Sequence, residues 1–173
     1  MELSYVRIVL PVENDVDRIM KLVKECVRDM VSHGIHQWND YYPNADVIRS
    51  DVRTKSMHVV EENGDIIGMI VLNENQSPEY MSVKWSRQSD RVLVIHRLAV
   101  SPTMQNQGIG GKLLKYAEKF AIDHGYDTIR LDSYSGNPKA LRLYEKHQYK
   151  RVGQVRFPMR DLPFYCFEKI LKE

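Results

Sequence analysis

The amino-acid sequence predicts an α/β fold, one mixed and mostly antiparallel central sheet flanked by helices, with all 173 residues in a single domain. Three observations carry that reading. Segments of helical hydrophobic period alternate along the chain with short runs rich in β-branched residues. Residues 57–62 and 65–73 are two such runs joined by Asn63-Gly64, a strong hairpin signal. The run RVLVIHRLAV at residues 91–100 is the most β-prone in the chain and is expected to be a central strand.

The elements follow in order. Residues 4–10 alternate enough to form a first strand. Asn14 or Asp15 then supplies a helix cap, and Val16, Ile19, Met20, Val23, Cys26, Val27 and Met30 keep helical spacing. That helix is expected to end near Gly34. Residues 35–45, IHQWNDYYPNA, read as an aromatic loop, and a short helix is expected over residues 45–55. After the hairpin, residues 75–90 are polar, with a short extended piece expected at residues 80–85. The glycine-rich QNQGIGG opens an amphipathic helix with Leu113, Leu114, Ala117, Phe120 and Ala121 on one side. Residues 128–131 form a strand, and DSYSGNP leads to a helix whose face carries Ala140, Leu143, Tyr144 and His147. KRVGQVRF and PFYCFEKIL close the chain as two antiparallel strands.

Composition narrows the function. Hydrophobic residues make up 43% and charged residues 28%, a globular balance, and the net charge of +2 implies no broad nucleic-acid footprint. An anionic ligand must therefore be held by a local site. Cys26 and Cys166 stand far apart, outside any metal-ligand spacing, and suit buried thiols in a reducing compartment. The six histidines show no ligand spacing either, so no metal is expected. The amino-terminal residues lack the pattern of a secretory signal, and no apolar run approaches the roughly 18 residues of a membrane span. The expected location is cytoplasmic, with no membrane or nucleic-acid partner.

The chemistry is concentrated in residues 91–111, where a strand and a short turn lead into QNQGIGG. A helix start leaves backbone N–H groups unpaired, and the helix dipole adds positive character there. Gly108, Gly110 and Gly111 remove side chains that would keep a diphosphate away from those amides. A Walker loop would need glycine at Asn106 and Ser or Thr at Leu113. The dinucleotide fingerprint starting at Gly108 would need a third glycine at Leu113. Both fail.

The pattern Q-x-x-G-x-G at Gln105–Gly110, directly after LAVSP, resembles the signature of the GCN5-related N-acetyltransferase (GNAT) family. Asn137-Pro138 followed by KALRLYEKHQYKRVG resembles that family's next element, N-x-x-A-x-x-L-Y-x-x-x-G-[FY]. Gln148 replaces the glycine before Tyr149, a departure at a helix end. The resemblance is strong over residues 91–153, and the element order extends it to nearly the whole chain. It implies the acyl-CoA N-acyltransferase fold and acetyl transfer from acetyl-CoA to a primary amine, by direct attack in a ternary complex.

Residue roles are carried by the same resemblance. Leu98, Ala99 and Val100 match strand positions whose backbone groups face the pantetheine arm and thioester, with the N–H of Ala99 or Val100 as an oxyanion donor. Gln105, Gln107, Gly108, Ile109, Gly110, Gly111 and Lys112 match the pyrophosphate loop, although Lys112 is equally well read as a solvated early-helix lysine. Asn137 matches the residue that hydrogen-bonds the pantetheine arm, a contact compatible with capping its helix. Tyr144 matches the general acid that protonates the departing thiolate; a tyrosine packed on the sheet is its plainer reading. His96 stands where many members carry a glutamate base. It is expected on the same strand face as Leu98, and the plainer reading is a hydrogen-bonded structural histidine. Asp132 is a second base candidate, weakened if it caps the following turn. His36, Gln37, Trp38, Tyr41 and Tyr42 either border the acceptor site or simply anchor their loop, and Trp85 is a further cleft candidate.

The acceptor is a small-molecule or peptide amine that the sequence does not identify, and a homodimer through the carboxy-terminal strands is expected. The main alternative is a non-catalytic acyl-CoA sensor on the same fold. Transfer of another acyl group or to a hydroxyl, and a purely structural protein with a glycine-capped helix, are further rivals.

Overall fold

A computed structural model of the chain describes residues 6–172. Seven strands form one sheet in the order β1-β2-β3-β4-β5-β7-β6. The strands are β1 (Val6–Val9), β2 (Met57–Glu62), β3 (Asp65–Asn73), β4 (Val92–Val100), β5 (Thr128–Tyr134), β6 (Lys150–Val155) and β7 (Phe164–Ile170). The helices are α1 (Val16–Ser32), α2 (Ala45–Arg53), α3 (Ile109–Asp123) and α4 (Pro138–Lys146). The expected element order and the mixed, mostly antiparallel sheet are borne out: β4 and β5 are parallel, whereas β1–β2, β2–β3, β5–β7 and β6–β7 are antiparallel. Of the expected first strand, residues 4 and 5 lie outside the described residues.

The chain divides into two compact units. One comprises the chain up to Leu72 with Arg97–Leu113; the other comprises Asn73–His96 with Leu114 onward. In the first, the apolar face of α1 and residues of α2, β2 and β3 enclose Ile19, Leu22, Ile48, Met57, Val59, Met69 and Val71. Neither Asn14 nor Asp15 caps α1 through its side chain. Asp15 Oδ2 instead accepts the Val12 N–H at 2.8 Å, closing the turn before the helix. Gly34 ends α1 as expected, at φ +71° with its N–H donating to Val31 C=O, while Ile35 N–H reaches Met30 C=O. Asn44 Oδ1 accepts the Val47 N–H and caps α2, which stops at Arg53, two residues short of the expected end. Asn63 (φ +50°) and Gly64 (φ +84°) make the two-residue turn that the dipeptide announced.

In the second unit, β5 pairs residue for residue with β7, from Thr128–Ile170 to Tyr134–Phe164. That pairing carries the strand three residues past the expected end at Leu131, through DSY. Residues 80–85 also differ from expectation. A 3-10 turn spans Pro78–Ser82, and Trp85 Nε1–H closes back on Tyr80 C=O at 3.0 Å. The Lys169 ammonium bonds both Glu118 Oε1 (2.6 Å) and His147 C=O (3.0 Å), tying α3 and the end of α4 to β7.

Candidate active site

In the first unit, β4 bends at Arg97, whose φ of +34° breaks the pleat immediately before Leu98–Val100. The alternation that would place His96 and Leu98 on one face is therefore interrupted between them. A buried contact holds the bend. Arg97 Nε and Nη2 donate to the two carboxylate oxygens of Asp51 at 2.7 Å each, and Nη1 donates to Tyr42 Oη at 2.9 Å. Burial alone would lower the guanidinium pKa, but Asp51 and Tyr42 outweigh it and the net direction is upward. Nothing in the sequence announced this pair, because its members are separated by 46 residues.

The strand then delivers the glycine loop. Val100 C=O accepts from the Gln105 side-chain amide (3.2 Å) and from the Cys26 thiol (3.5 Å), while Ser101 N–H donates to Ile67 C=O (2.8 Å). Gln105 thus shapes the loop from within. Asn106 (φ +65°) and Gly108 (φ +80°) reverse the chain, and a Cβ built on Gly108 would meet nothing within 4 Å. The side of the loop that Gly108 leaves bare is open. The α3 ladder begins with Lys112 N–H donating to Gly108 C=O at 3.0 Å, so the amides of Ile109, Gly110 and Gly111 precede it. Ile109 is buried, whereas Gln107 and Lys112 are exposed. Gly68 of β3 contributes a close approach missed from sequence. A Cβ there would stand 3.3 Å from Ala99 O and 3.5 Å from Ile109 Cγ2. An isolated glycine in a strand was the available signal.

The aromatic loop divides. Trp38 is buried in the core of this unit, Tyr42 serves Arg97, and Tyr41 and His36 are exposed.

In the second unit, Asn137 Oδ1 accepts the Ala140 N–H (3.2 Å) and caps α4. About two turns on, Tyr144 is buried at 6% exposure between the rings of Phe167 (centroids 5.7 Å) and Tyr149 (6.2 Å). Burial, and then the charge of Asp132, push its hydroxyl pKa well up, so the group stays protonated far above neutral pH. Its oxygen is not among the enclosed atoms that lack a partner.

His96 and Asp132 both lie beyond the paired part of β4 and β5. The parallel ladder runs from Val92–Thr128 to Val94–Arg130, and each of these two residues lies two positions past its last pair. His96 Nε2 is 2.8 Å from Asn73 Oδ1. Asp132 does not cap a turn; it lies within β5 opposite Cys166 and accepts from the Tyr80 hydroxyl at 2.6 Å. Tyr80 was not recognised from sequence, because its segment has no periodicity. Trp85 is buried with the Arg130 guanidinium 4.4 Å above its ring.

Residues 17–149 match the acetyltransferase (GNAT) family. The chain belongs to that family. Among relatives of this GNAT protein, the S-(2-succino)cysteine N-acetyltransferase of Bacillus subtilis (strain 168) is 26% identical over 152 residues, 84% of each chain. The GNAT-family acetyltransferase of Streptococcus agalactiae 2603 superposes with a TM-score of 0.83 at 24% identity, covering 99% of this chain and 100% of the other. The acetyltransferase yncA of Salmonella typhimurium, solved with its cofactor acetyl-CoA, gives 0.71 at 19% identity, over 99% and 96%. At these identities the two structures speak to the fold alone. Among the described residues of this GNAT chain, no group of three or more His, Cys, Asp or Glu side chains is placed to hold a metal, and no helix is long and apolar enough to cross a membrane.

Proposed function

We propose that this GNAT protein moves the acetyl group of acetyl-CoA to a primary amine by direct attack in a ternary complex. The observation that carries the reading is the loop at Gln105–Gly108, which opens α3 with bare amides and an open side at Gly108. In the first unit, the N–H groups of Gly108 to Gly111 hold the pyrophosphate, Gln105 and Gln107 frame the loop, and Lys112 adds charge. Backbone groups of Leu98, Ala99 and Val100 receive the pantetheine arm and the developing oxyanion.

In the second unit, Asn137 bonds the pantetheine arm and Tyr144 returns a proton to the departing thiolate. Its raised pKa supports that role by keeping the donor loaded. His96, held by Asn73 through Nε2, takes the amine proton. Burial pushes both thiols, Cys26 and Cys166, up to about 12, so neither supplies the thiolate that an acyl-enzyme would need. The amine of S-(2-succino)cysteine, named for the relative, heads the acceptors to screen.

The test is thermal unfolding with and without acetyl-CoA, using NAD and ATP as controls. Ligand at about 100 times its Kd adds about 2.7 kcal/mol, a rise of about 5–10 °C for a domain of this size. A shift with acetyl-CoA alone, followed by amine-dependent thiol release, supports the reading. A shift without release under any amine identifies a non-catalytic acyl-CoA sensor. No shift at saturation overturns both.

A further inference from the structure

Asp132 is a carboxylate with one oxygen occupied and no counter-ion. Tyr80 fills Oδ2 at 2.6 Å, and among the described residues no protein donor takes Oδ1 and no Lys or Arg pairs with the group. Oδ1 is not among the enclosed orphan atoms, so it is reachable from solvent. The cation nearest in sequence, Arg130, is committed elsewhere: Nη1 donates to Gln76 Oε1 (2.8 Å), Nη2 to Arg87 C=O (3.0 Å), and the guanidinium lies over Trp85. The groups around Asp132 are Glu79 and Tyr80 from the 3-10 turn, Tyr144 from α4 and Cys166 from β7. None brings a fixed positive charge. A half-buried carboxylate without a counter-ion is costly unless a ligand supplies one.

Tyr80 is itself held. Trp85 Nε1–H closes on its carbonyl, and the rings of Tyr80 and Trp85 pack at 5.1 Å. Ser86, next in the chain, donates through backbone and hydroxyl to Glu168 of β7. The phenol therefore fixes the carboxylate rotamer and leaves Oδ1 presented.

We propose that Asp132, oriented by Tyr80, is the anchor that receives the acceptor of this transferase in its ammonium form. The inference rests on the acetyl-transfer reading and deepens it by naming the residue that docks the amine. Docking needs no chemistry at Asp132. The ammonium donates a hydrogen bond to Oδ1 before His96 takes its proton, and Tyr144 feels the same carboxylate charge. Asp132 contacts substrate; Tyr80 is a positioning residue.

The test reads the carboxylate directly. Protein labelled with ¹³C at the aspartate carboxyls is titrated with ethylammonium chloride in the presence of coenzyme A, with ethanol and potassium chloride in parallel. The Asp132 resonance is the one lost in Asp132→Asn, or in Asp132→Glu if the first variant does not fold. Expected is a saturable shift with ethylammonium alone, weakened severalfold by Tyr80→Phe. A resonance that stays still, or moves equally with potassium chloride, overturns the proposal. Stabilisation by acetyl-CoA is scored separately on the same samples, so a failure of the anchor is distinguished from a failure of the acyl-CoA reading.

Discussion

Removing the Asp51 carboxylate is expected to be among the costliest single changes in the first unit. Its side chain is 9% exposed and that of Arg97 16%, and both carboxylate oxygens are engaged at 2.7 Å. Asp51→Ala leaves the guanidinium buried, with Tyr42 Oη as its remaining side-chain partner among the described residues. An uncompensated buried charge of this kind costs about 3–5 kcal/mol, against about 1 kcal/mol or less for an exposed pair. With about 2–4 °C of Tm per kcal/mol in a domain of this size, Tm falls by about 6–20 °C. Urea unfolding followed by circular dichroism gives the free energy directly. The double variant Asp51→Leu/Arg97→Met removes both charges and is expected to recover more than half of the loss. Because Arg97 holds the bend that precedes Leu98–Val100, Asp51→Ala is also expected to weaken stabilisation by acetyl-CoA. A loss below about 1 kcal/mol, or a double variant no better than the single, would refute the reasoning.

Four further outcomes are expected. Tyr144→Phe lowers kcat by about 10²-fold or more while acetyl-CoA still raises Tm, measured by thiol release; equal turnover removes the acid role. His96→Ala abolishes the acid limb of the pH–rate profile, and an unchanged profile eliminates it as the base. Gly136→Ala puts a Cβ 2.6 Å from Tyr134 Cε1 and 3.0 Å from Leu162 Cδ1. Tyr134 is held by Asp161 at 2.5 Å and by Phe164, so little can yield and about 1–3 kcal/mol is lost in urea unfolding. Finally, the fold weakens in alkali: both thiols are held protonated up to about 12, whereas the unfolded chain releases those protons from about pH 8.5. The native state then binds more protons, and each thiol contributes a loss of about 1.4 kcal/mol per pH unit above that point. Cys26→Ala is expected to remove about half of the cysteine-dependent slope between pH 8.5 and 10.

The elements that the sequence announced are those whose signals are local. Asn63-Gly64 fixes its own turn, Gly34 its own helix end, and the loop at Gln105–Gly108 its own amides, so each was legible within a few residues. The family followed from two such local patterns, QNQGIG and the segment from Asn137 to Tyr149. The misses have the opposite character. β5 runs on to Tyr134 because β7 supplies a partner at every step, although DSY has the composition of a loop. Residues 78–82 turn rather than extend because Trp85 closes back on Tyr80 and stacks beneath Arg130.

The sequence by itself determined the element order, the glycine loop and the identities of Asn137 and Tyr144, since those depend on backbone propensity and fixed short spacing. Tertiary structure alone decided that Arg97 bends β4 through Asp51 and Tyr42, and that Asp132 belongs to Tyr80 rather than to a turn. Those partners lie 46, 55 and 52 residues apart. A buried charge or carboxylate is satisfied by whatever the folded chain brings within about 3 Å, which no periodicity along the sequence encodes.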